Sequence, residues 1–219
     1  MYKAVIFDLD GTLLDTLQDL KNSINEALKN KGYEVSYSYD ETKWLIGSGI
    51  KKLCERAISK YNPSNEEVEE LFKEFTKIYK KKQLEETHPF IHVNKSLFSI
   101  KQMGCKVCVL SNKAEENVKD ILHHYFPNFE FDHIVGQRKN VPVKPDPTSL
   151  LDLINVLDLS KKEVLYVGDS DVDMLVADKC GIDKCAVTYG YRPIEMLVQY
   201  NPNYIVSDFR EILEILKNK

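Results

Sequence analysis

The sequence predicts an α/β fold, a parallel doubly wound sheet with an all-helical segment inserted after its first strand. Three observations predict it. The apolar, β-branched run Ala4-Val5-Ile6-Phe7 stands near the start and Gly11 punctuates it. Residues 16 to 83 then carry helical periodicity and no convincing strand. From His88 onward, strand-like and helix-like runs alternate to the end of the chain. Such alternation implies βαβ units and a sheet covered by helices on both faces. The expectation is a Rossmann-like core of residues 1–15 and 84–219, with residues 16–83 as a small helical cap, because an insert of that length is too long for a loop.

Each element follows from its local pattern. After the first strand, Leu17, Leu20, Ile24, Ala27 and Leu28 recur at helical spacing until Gly32 ends the pattern. Residues 33–50 read as irregular, with Gly47-Ser48-Gly49 inside "IGSGI", and "KKLCERAISKY" reads as helix. The strongest helix is "SNEEVEELFKEFTKIYKKKQ". Ser64 and Glu67 have capping-box spacing there, and Val68, Leu71, Phe72, Phe75, Ile78 and Tyr79 form its stripe. Beyond it, helix "VNKSLFSIKQMG" leads to strand "KVCVLSN", helix "AEENVKDILHHYF" to strand "FDHIVG", and helix "PTSLLDLINVLDL" to strand "EVLYVGDS". Helix "VDMLVADKCG" then leads to strand "KCAVTYG", "NYIVS" adds an edge element, and "DFREILEILKNK" closes as an amphipathic helix.

Composition narrows the function. The chain has 219 residues, 43% of them hydrophobic and 29% charged, the balance of an ordinary globular protein. A net charge of −4 argues against nucleic acid as partner, which wants a basic face. No apolar run approaches the roughly 20 residues of a membrane span, and the start shows no basic-then-apolar leader. Five scattered cysteines read as reduced thiols, so the expected location is the cytoplasm. Cys105 and Cys108 form a C-x-x-C, but their odd spacing along an extended run sends them to opposite faces, as core residues.

In open parallel sheets, ligands bind beyond the carboxyl ends of the strands. Those ends carry Asp8, Asp10, Gly11 and Thr12 after the first strand, and Ser111, Asn112 and Lys113 after "CVL". They carry Gly168, Asp169, Ser170, Asp171 and Asp173 after "LYV", and Lys144 lies in the nearby "VKPDP". Asp8 and Asp10, two apart on extended backbone, point to the same side, and like charges that close require a cation or hydrogen bonds. Strand-end aspartates form an oxygen-rich nest suited to Mg²⁺. A hydroxyl, an amide and an ammonium form a phosphate cradle. Together they point to phosphoryl transfer, in which positioning and charge neutralisation carry the catalysis. "DSDVD" also resembles the start of a calcium-binding EF-hand loop, but Met174 and Cys180 occupy the positions where that loop needs glycine and glutamate.

These pieces resemble the haloacid dehalogenase-like (HAD) superfamily of phosphatases over nearly the whole chain. "DLDGT" matches its D-x-D-x-T motif, Ser111 in "VLSNK" its second motif, Lys144 in "KPDP" its third and "GDSDVD" its G-D-x-x-x-D motif. The insert is similar to the superfamily's C1 cap. The resemblance implies Asp8 as nucleophile, Asp10 as general acid and base, and Lys144 as stabiliser of the nucleophile and the transferring charge. It also implies Thr12, Ser111, Asn112 and Lys144 around the phosphate. Mg²⁺ would lie on Asp8, the Asp10 carbonyl and Asp169, with Asp173 behind them orienting Lys144 or a metal-bound water. "DTLQDL", "IGSG" and "GDSDVDMLVADKCG" followed by "VTYGY" are most similar to phosphoglycolate phosphatases and their close relatives. The implied partner is a small phosphorylated metabolite, on a monomer or homodimer, with Gly47, Ser48 and Gly49 as a substrate loop. The alternatives are a dehalogenase, a pyrophosphatase or nucleotidase, a phosphosugar mutase, or a non-catalytic binding protein on the same fold. Gly168-Asp169 stands where such mutases carry Glu-Asp.

Overall fold

A computed structural model describes residues 1–219. Its main sheet has six parallel strands: β1 (Ala4–Phe7), β4 (Lys106–Ala114), β5 (His133–Gln137), β6 (Val164–Gly168), β7 (Asp183–Val187) and β8 (Tyr204–Val206). They lie in the order β5-β4-β1-β6-β7-β8. From β1 the chain builds outward through β4 and β5, then crosses to β6 and builds the other way. The direction of winding therefore reverses between β1 and β6, and this is where open α/β sheets place their ligands. A second, two-stranded sheet pairs β2 (Leu14–Asp15) with β3 (His88–Pro89).

Both faces of the main sheet are buried, which is why its strands read as continuous apolar runs rather than alternating ones. Val5, Phe7, Val107, Val109, Leu165 and Val167 face one cluster, with α5 (Val93–Gln102), α6 (Glu115–Tyr125) and α10 (Glu211–Lys217). Ala4, Ile6, Cys108, Leu110, Val164 and Tyr166 face the other, with α7 (Thr148–Leu157) and α8 (Asp171–Cys180). Cys105 and Cys108 fall in different clusters, as the period of two along extended backbone requires. Burial raises the pKa of both thiols, so they serve as small apolar residues.

The chain divides into two compact units, Met1–Asp15 with Pro89–Lys219, and Thr16–His88. The second is helical: α1 (Leu17–Asn30), α2 (Tyr39–Leu45), α3 (Ile50–Ala57) and α4 (Asn65–Lys82). The sequence reading of 33–50 as irregular is corrected by α2. Its Ser38 side chain accepts from the Glu41 N–H while Glu41 accepts from the Ser38 N–H. That S-x-x-E signature was legible, and such a cap contributes about 1 kcal/mol to a short helix. The predicted helix over 51–61 divides into α3 and a 3₁₀ turn at Ser59–Tyr61. Asp19, fully buried in α1, fastens the far end of this unit. Its carboxylate accepts from the N–H groups of Glu86 (3.0 Å) and Thr87 (2.9 Å) and from the Thr87 hydroxyl (2.8 Å). No helix is long and apolar enough to cross a membrane.

Candidate active site

At the β1 end, the backbone turns so that the N–H groups of Leu13 and Leu14 both donate to the Leu9 carbonyl. Gly11 has φ +87°, and a Cβ there would lie 2.4 Å from an Asp169 carboxylate oxygen. Glycine thus lets the first strand's turn approach Asp169 at the end of β6. The Asp169 carboxylate accepts from the Tyr191 N–H (2.7 Å) and, more weakly, from the Thr12 hydroxyl (3.4 Å). Gly190 makes that approach possible from the other side, since a Cβ there would meet Asp169 at 2.3 Å.

Asp8, Asp169 and Asp173 have carboxylate oxygens within 4.8 Å of one another, all buried. One ammonium enters this cluster. Lys144 Nζ lies 2.9 Å from Asp8 Oδ1 and 2.7 Å from Asp173 Oδ1, and donates to the Tyr166 hydroxyl at 2.9 Å. Burial pushes the Asp8 carboxyl up to about 7, with Asp173 adding to the rise and Lys144 opposing it. Burial likewise raises Asp169 well above the carboxylate range, helped by Asp173 and Asp8. At Lys144, burial opposes the charged form, but Asp173 and Asp8 outweigh it and hold the ammonium protonated. Three buried carboxyls share one ammonium, so their ionised forms lack counter-charge, and all of them offer hard oxygen donors. That donor set fits a divalent cation such as Mg²⁺.

Lys144 is held in place at both ends. The Asn112 amide donates to the Lys144 carbonyl (2.9 Å) and accepts from its N–H (2.8 Å). Asp173 also accepts from the Ser170 N–H (3.1 Å) and hydroxyl (2.6 Å), closing a capping box on α8. The Tyr166 hydroxyl bridges the set, donating to Asp173 Oδ1 (3.0 Å) and reaching the Leu110 carbonyl (3.4 Å).

This arrangement can be set beside known proteins. The haloacid dehalogenase-like hydrolase family model matches residues 5–187. The chain belongs to that family. A phosphoglycolate phosphatase of Aquifex aeolicus is 30% identical over 220 residues, covering 99% of this chain and 97% of its own. That of Vibrio cholerae is also 30% identical, covering 98% and 96%. The crystal structure of a predicted phosphoglycolate phosphatase from Haemophilus somnus superposes with a TM-score of 0.89 at 29% identity, covering 98% and 97%.

Within this hydrolase, several of the expected site residues have side-chain partners that the sequence did not indicate. The Asp10 carboxylate is not in the acidic cluster. It pairs with Lys113 (2.9 Å). Asp173 takes its place among the carboxylates. The Asn112 side chain clamps Lys144, which leaves the expected role of its backbone untouched, and the Thr12 hydroxyl points to Asp169. Ser111 Oγ accepts from the Lys113 N–H at 3.2 Å. β4 also runs past its expected end. Between Leu110 and Ala114 it advances four residues while β5 advances two, a bulge that re-aims Ser111 and Lys113. Gly47, Ser48 and Gly49 join α2 to α3 in the helical unit. There Arg56 donates to the carbonyls of Leu45 (3.0 Å) and Ile46 (3.1 Å) and to the Ser48 hydroxyl (3.0 Å).

Tyr166, Gly190 and the Tyr191 N–H carried no role in the sequence reading, which placed Lys113 beside Ser111 and Asn112 without naming its partner Asp10. A lysine in an otherwise apolar strand end was the one available signal for Lys113. Tyr166 reads as an ordinary core aromatic, and a backbone N–H leaves no trace in sequence.

Proposed function

We propose that this phosphatase hydrolyses small phosphomonoesters through an aspartyl-phosphate on Asp8, with Mg²⁺ as cofactor and 2-phosphoglycolate as the leading substrate. The observation that carries the reading is the Asp8 carboxylate, 2.9 Å from Lys144 and inside a buried acidic cluster at the winding reversal of the sheet. Asp8 Oδ attacks phosphorus, and the bond from phosphorus to the ester oxygen breaks. Asp10 gives its proton to the departing alkoxide. Water then attacks phosphorus, Asp10 takes its proton, and the bond to Asp8 breaks, releasing inorganic phosphate. Lys144 offsets charge on Asp8 and on the transferring group. Asp173, Tyr166 and the Asn112 amide keep Lys144 in position.

Asp8, the Asp10 carbonyl and Asp169 would hold Mg²⁺, which neutralises phosphate charge when bound. Ser111, with the backbone beside it, is the group assigned to the phosphate oxygens. The substrate is drawn from the relatives, two of them named phosphoglycolate phosphatase at 30% identity over nearly full length. A mutase is disfavoured because Gly168 stands where phosphosugar mutases carry glutamate, and a Cβ at that position would lie 2.4 Å from Asp173.

The test is phosphate release from a panel of 2-phosphoglycolate, sugar phosphates, nucleoside monophosphates and pyrophosphate. It is run with Mg²⁺, with chelator, and with Asp8→Asn. Turnover that peaks on 2-phosphoglycolate, stops with chelator and is absent in the variant supports the whole reading. Substantial turnover by Asp8→Asn removes Asp8 as nucleophile, and a different preferred ester removes the substrate.

A further inference from the structure

We infer that Lys113 is the specificity residue that recognises a carboxylate on the carbon next to the scissile ester oxygen. The inference rests on the substrate reading above and deepens it. Lys113 Nζ lies 2.9 Å from Asp10 Oδ1, and its side chain is 3% exposed while that of Asp10 is 21% exposed. A buried ammonium is costly unless anionic partners surround it. Asp10 is also the group that meets the ester oxygen. The ammonium therefore stands one carboxyl group away from the bond that breaks.

In 2-phosphoglycolate the carboxylate hangs on the same carbon as that ester oxygen. Standard bond lengths put its oxygens roughly 3 Å from the ester oxygen. A substrate whose ester oxygen rests on Asp10 thus carries its carboxylate toward the ammonium on that same side chain. A compact ammonium with three donors can serve Asp10 and a second carboxylate together. The backbone fixes where Lys113 stands. Its N–H is held by Ser111 Oγ at 3.2 Å. The absence of a side chain at Gly136, where a Cβ would lie 2.8 Å from the Lys113 carbonyl, lets β5 close against it.

The experiment measures kcat/KM of the full chain with Mg²⁺ on 2-phosphoglycolate, its uncharged amide and ethyl phosphate. Wild type is compared with Lys113→Gln, Lys113→Met and Lys113→Arg, with melting curves alongside. Glutamine retains a donor for Asp10, so it separates charge recognition from the orienting of Asp10. The expected result is a wild-type preference for the acid over its amide that falls about 10- to 100-fold in the glutamine and methionine variants and is partly restored by arginine, the range of a charge-assisted hydrogen bond. The loss should appear mainly in KM for the acid. A preference that survives in both neutral variants, or an equal loss on all three substrates, overturns the inference and leaves the substrate reading standing. A wild-type enzyme with no preference for the acid overturns the substrate reading and the inference with it.

Discussion

Asp8→Asn should make the metal-free protein more stable at pH 8 even though it ends turnover. The Asp8 carboxyl is pushed up from 3.8 to about 7, by burial first and Asp173 second. Between those values the folded chain holds a proton that the unfolded chain has released. Stability therefore falls as pH rises across that window, and the loss is complete above about 7. Asparagine keeps the shape and never ionises, and Lys144 keeps Asp173 at 2.7 Å. At 1.36 kcal/mol per unit, the variant should gain about 4 kcal/mol over wild type at pH 8 and about 2 kcal/mol at pH 5. Urea unfolding followed by circular dichroism, in chelator at both pH values, reads the difference. Adding Mg²⁺ should narrow the gap by stabilising wild type more. A variant less stable than wild type at pH 8, or a gap equal at both pH values, would refute the argument that the folded chain carries the cost of a buried charge at Asp8.

Gly11→Ala places a Cβ 2.4 Å from an Asp169 oxygen at φ +87°. It should cost about 1–2 kcal/mol from the backbone alone and lower kcat/KM about tenfold or more by displacing Asp169, read by melting and steady-state kinetics. Tyr166→Phe removes the hydroxyl shared by Lys144, Asp173 and Leu110. Urea unfolding should show a loss of about 1–2 kcal/mol, with turnover retained better than in Lys144→Met. Asp19→Ala strips the acceptor from the Glu86 and Thr87 amides. Stability should fall by about 2–4 kcal/mol, and hydrogen exchange at those two amides should speed up; unchanged exchange would mean the carboxylate does not fasten them.

The sheet was legible because both of its faces are buried, which turns each strand into an unbroken apolar run such as Val164–Val167. Asp8 and Asp169 stand at the ends of such runs, where open sheets gather their ligands, while Lys144 in its loop and Asp173 on α8 were grouped with them only by complementary chemistry and by the family motifs. What was hidden depends on distance rather than on pattern. The bulge in β4 is invisible in "KVCVLSNKA", yet it re-aims Ser111 and Lys113. Asn112 and Lys144 are 32 residues apart, so nothing local announces that the amide serves the lysine's backbone. Asp10 sits two residues after Asp8, and sequence spacing alone groups them. The structure separates their carboxylates because Lys113 draws one of them off. α2 was missed for a different reason, a readable capping signal passed over amid polar residues.

The two oxygens of Asp173 look in different directions. Oδ2 closes the start of α8 and Oδ1 holds Lys144, so one residue belongs both to a helix end and to the charged cluster. Fraying of that first turn would unseat the lysine in the same motion. Local melting there would deprive Lys144 of one of its two carboxylates, so the stability of a helix start and the geometry of the charged cluster meet in a single side chain.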